Sequence, residues 1–508
     1  MKRVLLITID QTRADSLACM GHPAVKTPHM DALAADGVLF RKHYNNAVPC
    51  GPSRASLLTG MYPTNHRMIT NGTPLDASFT NIALEMRKAG YDPMLFGYTD
   101  TTPDPRYLPP DDPSLTTYEG PLPGFTVAQA FPEHSLDWAA YLKRMGYDVT
   151  EPGYGIYAPA NPDDGKGLSA QPSVFKAEDS ETAWLMDKVI DHLEFAGDAP
   201  FFVHASFLRP HPPFIAPEPY CDLYRDVTLP KPVGAKTVAD ERAQHPAIGF
   251  FQEYVSLSNF LKGVEDRPLR DLTEEDFQQI KATYLALITE VDHHIGRLVQ
   301  SLKEKGIYED TTIILTSDHG EQMGDHGLLG KASIFEKSFH IPLMIKGGRR
   351  AARGVQVDHF TEAVDIMPTI LDLCGLEIPH QCDGRSLVPF LKGVEADGWR
   401  DHACGQIDFR NVITKKAERK FGLRSDQCAA LWIRDEHYKY IHFSGLTAIL
   451  YDLVEDPDET RNLAGDPAYA PVMLKYAQKL LTWRMVHAYG ALDGMMVSLG
   501  GVVVDPDR

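Results

Sequence analysis

Residues 4–9, 200–205, 312–316 and 341–345 are short apolar runs that lack the in-and-out alternation of a half-exposed strand, and 93–97 is a weaker one. Continuous runs of this length read as parallel strands buried on both faces. Helical patterns lie between them. The clearest starts at Thr273, which forms a capping pair with Asp276. It then sets Phe277, Ile280, Tyr284, Leu287, Ile288, Val291, Ile295, Leu298 and Leu302 at helical spacing before Gly306 closes it. Strands alternating with helices predict an α/β fold: a large doubly wound mixed sheet flanked by helices.

At 508 residues the chain has room for that domain and a smaller one. The pattern changes after Pro379: residues 429–433, 437–442 and 449–453 read as short strands of a second sheet, and 471–487 as a helix. The expected division is an α/β domain over 1–378, a small C-terminal α+β subdomain over 379–465, and a helix with a tail over 466–508. Within the tail, Met495-Met496-Val497 and Val502-Val503-Val504 are apolar. Residues 101–180, rich in Pro, Gly, Asp and Tyr, read as an excursion over the sheet, which usually means a binding surface. The run Arg349-Arg350-Ala351-Ala352-Arg353 reads as a solvated loop.

A formal net charge of −19 argues against a nucleic-acid partner or an anionic membrane surface. No apolar run approaches the length of a membrane span. Met1-Lys2-Arg3 is followed by too short an apolar stretch before Asp10 for a signal-peptide core. The seven cysteines (19, 50, 221, 374, 382, 404 and 428) are scattered, odd in number and without a CxxC pair. A cytoplasmic protein with reduced thiols is expected. An acidic protein acting on an anion also needs a local positive centre such as a metal ion.

Cys50-Gly51-Pro52-Ser53-Arg54 places a cysteine ahead of a helix-starting proline, where backbone N–H groups and the helix dipole favour an anion. A thiol there is expected to be unusually acidic and reactive. Asp10 directly follows the first strand, and Asp318-His319-Gly320 follows the strand at 312–316. Ligands of open α/β sheets sit at the carboxyl ends of strands, so Asp10, Asp318 and His319 should share one edge. Oxygen-rich coordination with one imidazole suits Ca²⁺, Mn²⁺ or Mg²⁺. Each carboxylate alone reads equally as a helix cap.

The segment Cys50–Gly60 resembles the sulfatase signature C-x-P-S-R-x-S-x-L-T-G and matches it throughout. In that family, which belongs to the alkaline phosphatase superfamily, the cysteine is oxidised by a formylglycine-generating enzyme to formylglycine. The hydrate of this aldehyde attacks sulfur or phosphorus. Sulfatases usually carry two aspartates after the first strand and a later Asp-Asn. Asp10-Gln11 and Asp318-His319 instead resemble the phosphonate monoester hydrolases and the arylsulfatases close to them. The resemblance extends to residues 363–375 and to the pattern from Leu450 to Ala464. It implies one metal held by Asp10, residue 50, Asp318 and His319, with Gln11 assisting less surely. Arg54 would hold the nucleophile, by the bidentate bonding that an arginine offers.

His211, in Arg209-Pro210-His211-Pro212-Pro213, and Lys331, ending Gly327-Leu328-Leu329-Gly330-Lys331, occupy positions where the family meets the leaving-group oxygen. Without the resemblance they read as a structural histidine and a solvated lysine. Asn71 matches a substrate-contacting Asn of the branch, against a turn former, and Tyr98 matches as well. Asp100 departs from the branch, which has Thr there. Two charges about 5 Å apart at an effective dielectric near 20 interact by roughly 3 kcal/mol. An ionised Asp100 near the bound ester would therefore favour singly charged sulfate monoesters, phosphonate monoesters and phosphodiesters over phosphate monoesters. His293-His294 and Asp325-His326 read as a solvated helix face and loop.

The expected activity is thus metal-dependent hydrolysis of a small anionic ester through formylglycine, in a homodimer or homotetramer. Two other readings stay open: a two-metal phosphatase without formylglycine, and a catalytically silent anion-binding protein.

Overall fold

The protein is described by a computed structural model, covering residues 2–132, 135–149, 153–161, 171–196, 199–394, 396–488, 490 and 494–504. The chain forms β1 (Arg3–Ile9), β2 (Val38–Tyr44), β3 (Ala47–Val48), β4 (Pro93–Gly97), β5 (Thr126–Ala130), β6 (Phe201–Phe207), β7 (Thr311–Thr316), β8 (Leu343–Lys346) and β9 (Val355–Glu362). All but β3 build an eight-stranded sheet in the order β5-β4-β6-β1-β7-β8-β2-β9.

Side chains alternate across β1, and each parity feeds a different core. Leu5, Ile7 and Ile9 pack on one face with Val203, Phe207, Ile313 and Leu315, under the helices Glu181–Ala196 and Glu274–Glu304. Val4 and Leu6 pack on the other with Phe202, Ile314, Leu343 and Ile345, against the helices Cys50–Thr59 and Ile366–Cys374. Burial on both faces is why these strands carry no polar alternation. The Glu274–Glu304 helix opens on the expected capping box: Thr273 Oγ1 accepts from Asp276 N–H, and Asp276 accepts from Thr273 N–H.

One strand differs from expectation. The run at 341–345 reads as parallel, yet β8 is antiparallel to both neighbours, β7 and β2. Residues 317–342 between β7 and β8 contain only short single turns, so no crossover helix carries the chain back for a parallel return. The excursion after residue 101 includes the edge strand β5 and the helix Leu136–Arg144. Parts of it, at 133–134, 150–152 and 162–170, lie outside the described residues.

The second sheet consists of β10 (Ala403–Asp408), β11 (Ala429–Arg434), β12 (Tyr438–Phe443) and β13 (Ile449–Asp452), with the helix Ala470–Val486 packed on it. Its order is β13-β12-β11-β10-β3. The edge strand β3 lies in the chain just ahead of Cys50 and pairs with β10 in parallel, Ala47 with Gln406 and Val48 with Ile407. The Cys50 helix is therefore anchored to both sheets. The tail forms a two-stranded hairpin, β14 (Met495–Ser498) and β15 (Gly501–Val504), with Met496 and Val497 exposed. All seven cysteines are unpaired thiols. Among the described residues, no helix is long and apolar enough to cross a membrane.

Candidate active site

β1 and β7 run parallel with Arg3 opposite Thr311 and Thr8 opposite Thr316. Continued past the strand ends, that register sets Asp10 level with Asp318. Gly320 then lets the chain turn under its neighbour, since a Cβ there would fall 1.9 Å from Lys337 O. Cys50 begins its helix from the opposite side, its Sγ 3.1 Å from His319 Nε2. One ligand atom from each of Asp10, Cys50, Asp318 and His319 lies within 4.8 Å of the others, and all four residues are buried.

The donors are preset. Asp318 Oδ1 accepts the N–H groups of Gln11 (3.1 Å) and His319 (2.9 Å), leaving Oδ2 to face the cluster. His319 Nδ1 lies 3.0 Å from Gly320 O, so Nδ1–H donates there and the Nε2 lone pair points at the carboxylates and Sγ. Burial, only partly offset by Asp318 and Asp10, pulls His319 below its usual range and keeps it neutral. Asp10 Oδ1 is buried without a hydrogen-bond partner. An orphaned carboxylate oxygen beside a second carboxylate and an aimed imidazole is what a divalent cation satisfies, so the residues fit the metal that the family implies.

Arg54, one turn after Cys50, neutralises these acids. Its Nη2 is 2.9 Å from Asp10 Oδ2 and its Nε 3.0 Å from Asp318 Oδ2, while Nη1 donates to Ser206 Oγ at 2.7 Å. Burial works to raise Asp10, but Arg54, His319 and Lys331 outweigh it and hold its carboxyl below the usual range. Tyr98, expected at the substrate, donates its hydroxyl to Asp10 Oδ2 at 2.5 Å and lies under the Arg54 guanidinium, 4.4 Å from ring to Cζ.

Two electrostatic expectations change. The Cys50 thiol is not acidic: burial pushes it well up, and Asp10, Asp318 and Asp100 add to this against Lys331. Desolvation outweighs the helix N-terminus. Asp100, buried and 3.4 Å from Arg54 Nε, is also pushed well up by burial and by Asp10 and Asp318, with Arg54 opposing. This weakens the charge argument that assumes an ionised Asp100. Asn71 accepts the Gly51 N–H through Oδ1 at 2.8 Å, securing the start of the Cys50 helix.

On the other side, Lys331 Nζ lies 2.8 Å from Gln11 Oε1 and 2.9 Å from His211 Nε2. His211 Nδ1, 2.8 Å from Pro212 O, donates to that carbonyl, which leaves Nε2 to accept from Lys331. Gln11, expected to assist at the metal, instead braces Lys331, and three residues to which sequence reasoning gave no role, Glu321, Arg209 and Glu181, hold this arrangement. Gln11 takes the left-handed conformation (φ 64°) and donates its amide to Glu321, which also accepts the N–H groups of Met323 and Gly330. Arg209 Nη1 donates to His211 O (3.0 Å) and Pro213 O (2.6 Å), and its Nε pairs with Glu181. In the sequence, only an arginine placed at the head of a proline-rich turn hinted at this.

Other histidines stay apart from the site. His326 is not solvated: it stacks on Phe335 at 3.4 Å and meets Glu241, while Asp325 pairs with Arg13. His294 is buried against Arg297, and His293 is exposed.

The family model described as Sulfatase matches residues 2–376, nearly three quarters of the chain, with this site inside it. The chain belongs to the sulfatase family. A second model, N-sulphoglucosamine sulphohydrolase, C-terminal, matches residues 324–485. The multifunctional alkaline phosphatase superfamily protein PehA of Trinickia caryophylli is 41% identical over 96% of each chain. An arylsulfatase of Clostridium perfringens is 28% identical over 94% of this chain and 93% of its own. The phosphonate monoester hydrolase of Agrobacterium radiobacter superposes with a TM-score of 0.96 at 46% identity, over 99% of both chains. The protein is accordingly a hydrolase of the alkaline phosphatase superfamily with the sulfatase fold, as the signature at Cys50 leads one to expect.

Proposed function

We propose that this sulfatase hydrolyses singly charged sulfate monoesters, phosphonate monoesters and phosphodiesters, with Cys50 oxidised to formylglycine as its nucleophile. The observation that carries the reading is the convergence of Asp10, Cys50, Asp318 and His319 within 4.8 Å, with Cys50 at the head of its helix. Formylglycine at residue 50 supplies, as its hydrate, one hydroxyl for attack and a second whose collapse to the aldehyde releases the anion. A single Ca²⁺, Mn²⁺ or Mg²⁺ held by Asp10, residue 50, Asp318 and His319 supplies Lewis acidity and charge neutralisation when bound.

The chain's own residues do the rest. Arg54 keeps Asp10 ionised and aimed, and Tyr98 fixes the same carboxylate from below. Lys331 and His211 face the leaving oxygen: Lys331 supplies positive charge and a proton at Nζ, and His211 orients it through Nε2. Gln11 holds Lys331 from the far side. Asn71 and Asp100 border the ester at the start of the Cys50 helix. Among the described residues this is the group that gathers metal-ligating atoms, which favours a one-metal site over a two-metal phosphatase.

The remaining assignments extend the same reading. The α/β domain over 1–378 carries the chemistry, the subdomain over 379–465 closes it, and 466–508 serves contacts in a homodimer or homotetramer, which sedimentation tests. Unpaired thiols support a cytoplasmic setting, where a formylglycine-generating enzyme matures Cys50.

The decisive kinetic test uses protein co-expressed with that oxidising enzyme. kcat/KM is expected to be higher for an aryl sulfate, a phenylphosphonate ester and a phosphodiester than for a phosphate monoester. A preference for the phosphate monoester contradicts the proposal.

A further inference from the structure

A second cavity, of about 710 Å³, lies at the opposite end of the large sheet from the strand-end site. β1 enters it at Arg3 and β7 at Thr312, whereas Asp10 and Asp318 follow the far ends of the same strands. The seven residues of β1 set Asp10 roughly 23 Å away, at about 3.3 Å per residue. No small ester bound at the first site reaches this far. Five cationic side chains line the cavity: Lys2, Arg3, Arg349, Arg350 and Lys392. Among the described residues, two carboxylates stand with them, Asp310 and Asp372.

Both acids are already engaged. Asp310 takes Arg349 in a two-pronged pair, Oδ1 with Nε at 2.8 Å and Oδ2 with Nη2 at 2.9 Å. Asp372 accepts the Ser386 hydroxyl at 2.5 Å. The basic run at 349–353 is thus divided, because Arg353 turns away to Asp36 and Glu309. Arg350, Lys2 and Lys392 have no carboxylate partner among the described residues. The rim that carries these charges is tied down. Ala351 N–H donates to Gly348 O at 2.8 Å, and Ala352 N–H donates to Leu391 O at 2.8 Å, next to Lys392. Leu391 itself is buried in the core under the sheet.

We propose that this cavity is a second anion site, which binds a small polyphosphate. The assignment is independent of the hydrolase reading. The chain has a net charge of −19, yet here positive charge is gathered in a concavity, whose walls focus its field. A monoanion leaves most of that charge unmatched, whereas a di- or triphosphate brings several negative charges in one small group. Arginine forks suit phosphate oxygens, which they bind in pairs. The volume lies in the range of small-ligand sites, about 300–1,000 Å³, so a nucleoside carrying the phosphates also fits. A nucleic acid strand would run on past the cavity over an acidic protein, which favours the small anion.

Calorimetric titration of the full-length protein with unoxidised Cys50 tests it, using pyrophosphate, ATP and adenosine at about 0.1 M salt. Pyrophosphate and ATP are expected to bind, and adenosine is not. Affinity should fall about tenfold or more in Arg350→Glu and in Lys392→Glu, and several-fold in the milder Arg350→Gln. Lys331→Ala should keep the wild-type affinity, which places the binding away from the first site. Pyrophosphate binding as tight as that of ATP, or tighter, assigns the site to the phosphates alone, and tighter ATP binding adds the nucleoside. Absence of binding by both phosphates overturns the proposal. So does an affinity unchanged in all three folded variants at 350 and 392, or one lost in Lys331→Ala.

Discussion

Arg54 Nη2 lies 2.9 Å from Asp10 Oδ2, and each of the two side chains is only 1% exposed. The same guanidinium holds Asp318 at 3.0 Å, so one fork fixes two of the carboxylates that converge on Cys50. Removing one partner of such a pair leaves buried charge uncompensated, at about 3–5 kcal/mol. Arg54→Met is expected to lose about that much stability in urea denaturation of the chelated protein. Arg54→Lys keeps the charge but not the fork, and should retain more stability while losing most activity.

Metal binding should register without turnover. Adding Ca²⁺ or Mn²⁺ to chelated protein is expected to raise its thermal midpoint, equivalent to about 2.7 kcal/mol at a hundred times Kd. In Asp10→Asn the shift should shrink, because the orphaned Oδ1 is replaced or neutralised. Calorimetry of both proteins checks it.

Arg209 acts through His211. Its two hydrogen bonds to the carbonyls of His211 and Pro213 pin the turn that carries the imidazole. Bonds from a charged donor contribute about 1.5–3 kcal/mol. Arg209→Lys is expected to lower kcat about tenfold or more with little change in KM, while the circular dichroism stays native.

Glu290, on the long helix, is buried near Glu181, and these two influences push it up to about 8 against Ser180 and Arg209. The unfolded chain ionises this group near 4.5. Between those values the folded protein holds a proton that the unfolded chain has lost, so this contribution to stability falls as pH rises through the window. Glu290→Gln carries no such slope. Denaturation midpoints at pH 5 and pH 9 should therefore differ less in the variant, which becomes the more stable protein at pH 9.

Much of the site was legible because it sits at strand ends. Asp10, Asp318 and His319 directly follow apolar runs, and the sheet's register brings them level. β2 and β9 were hidden by polar positions: Arg41, Lys42 and His43 interrupt the first, and Asp358 and His359 the second, near an edge of the sheet. The reversal of β8 depended on a connection whose path no local pattern encodes. Asp10's partnership with Tyr98, and the edge-to-face contact of Phe251 with Phe409, join residues about 90 and 160 positions apart through packing alone. The acidity expected of Cys50 failed for a related reason, since burial is a property of the assembled fold.

The central claim concerns residue 50, and peptide mass spectrometry across it tests that claim most directly. Protein co-expressed with a formylglycine-generating enzyme is expected to yield a peptide lighter than the thiol form, in proportion to its specific activity, and Cys50→Ala should be inactive. Full ester turnover by protein whose residue 50 remains entirely an ordinary cysteine would contradict the account.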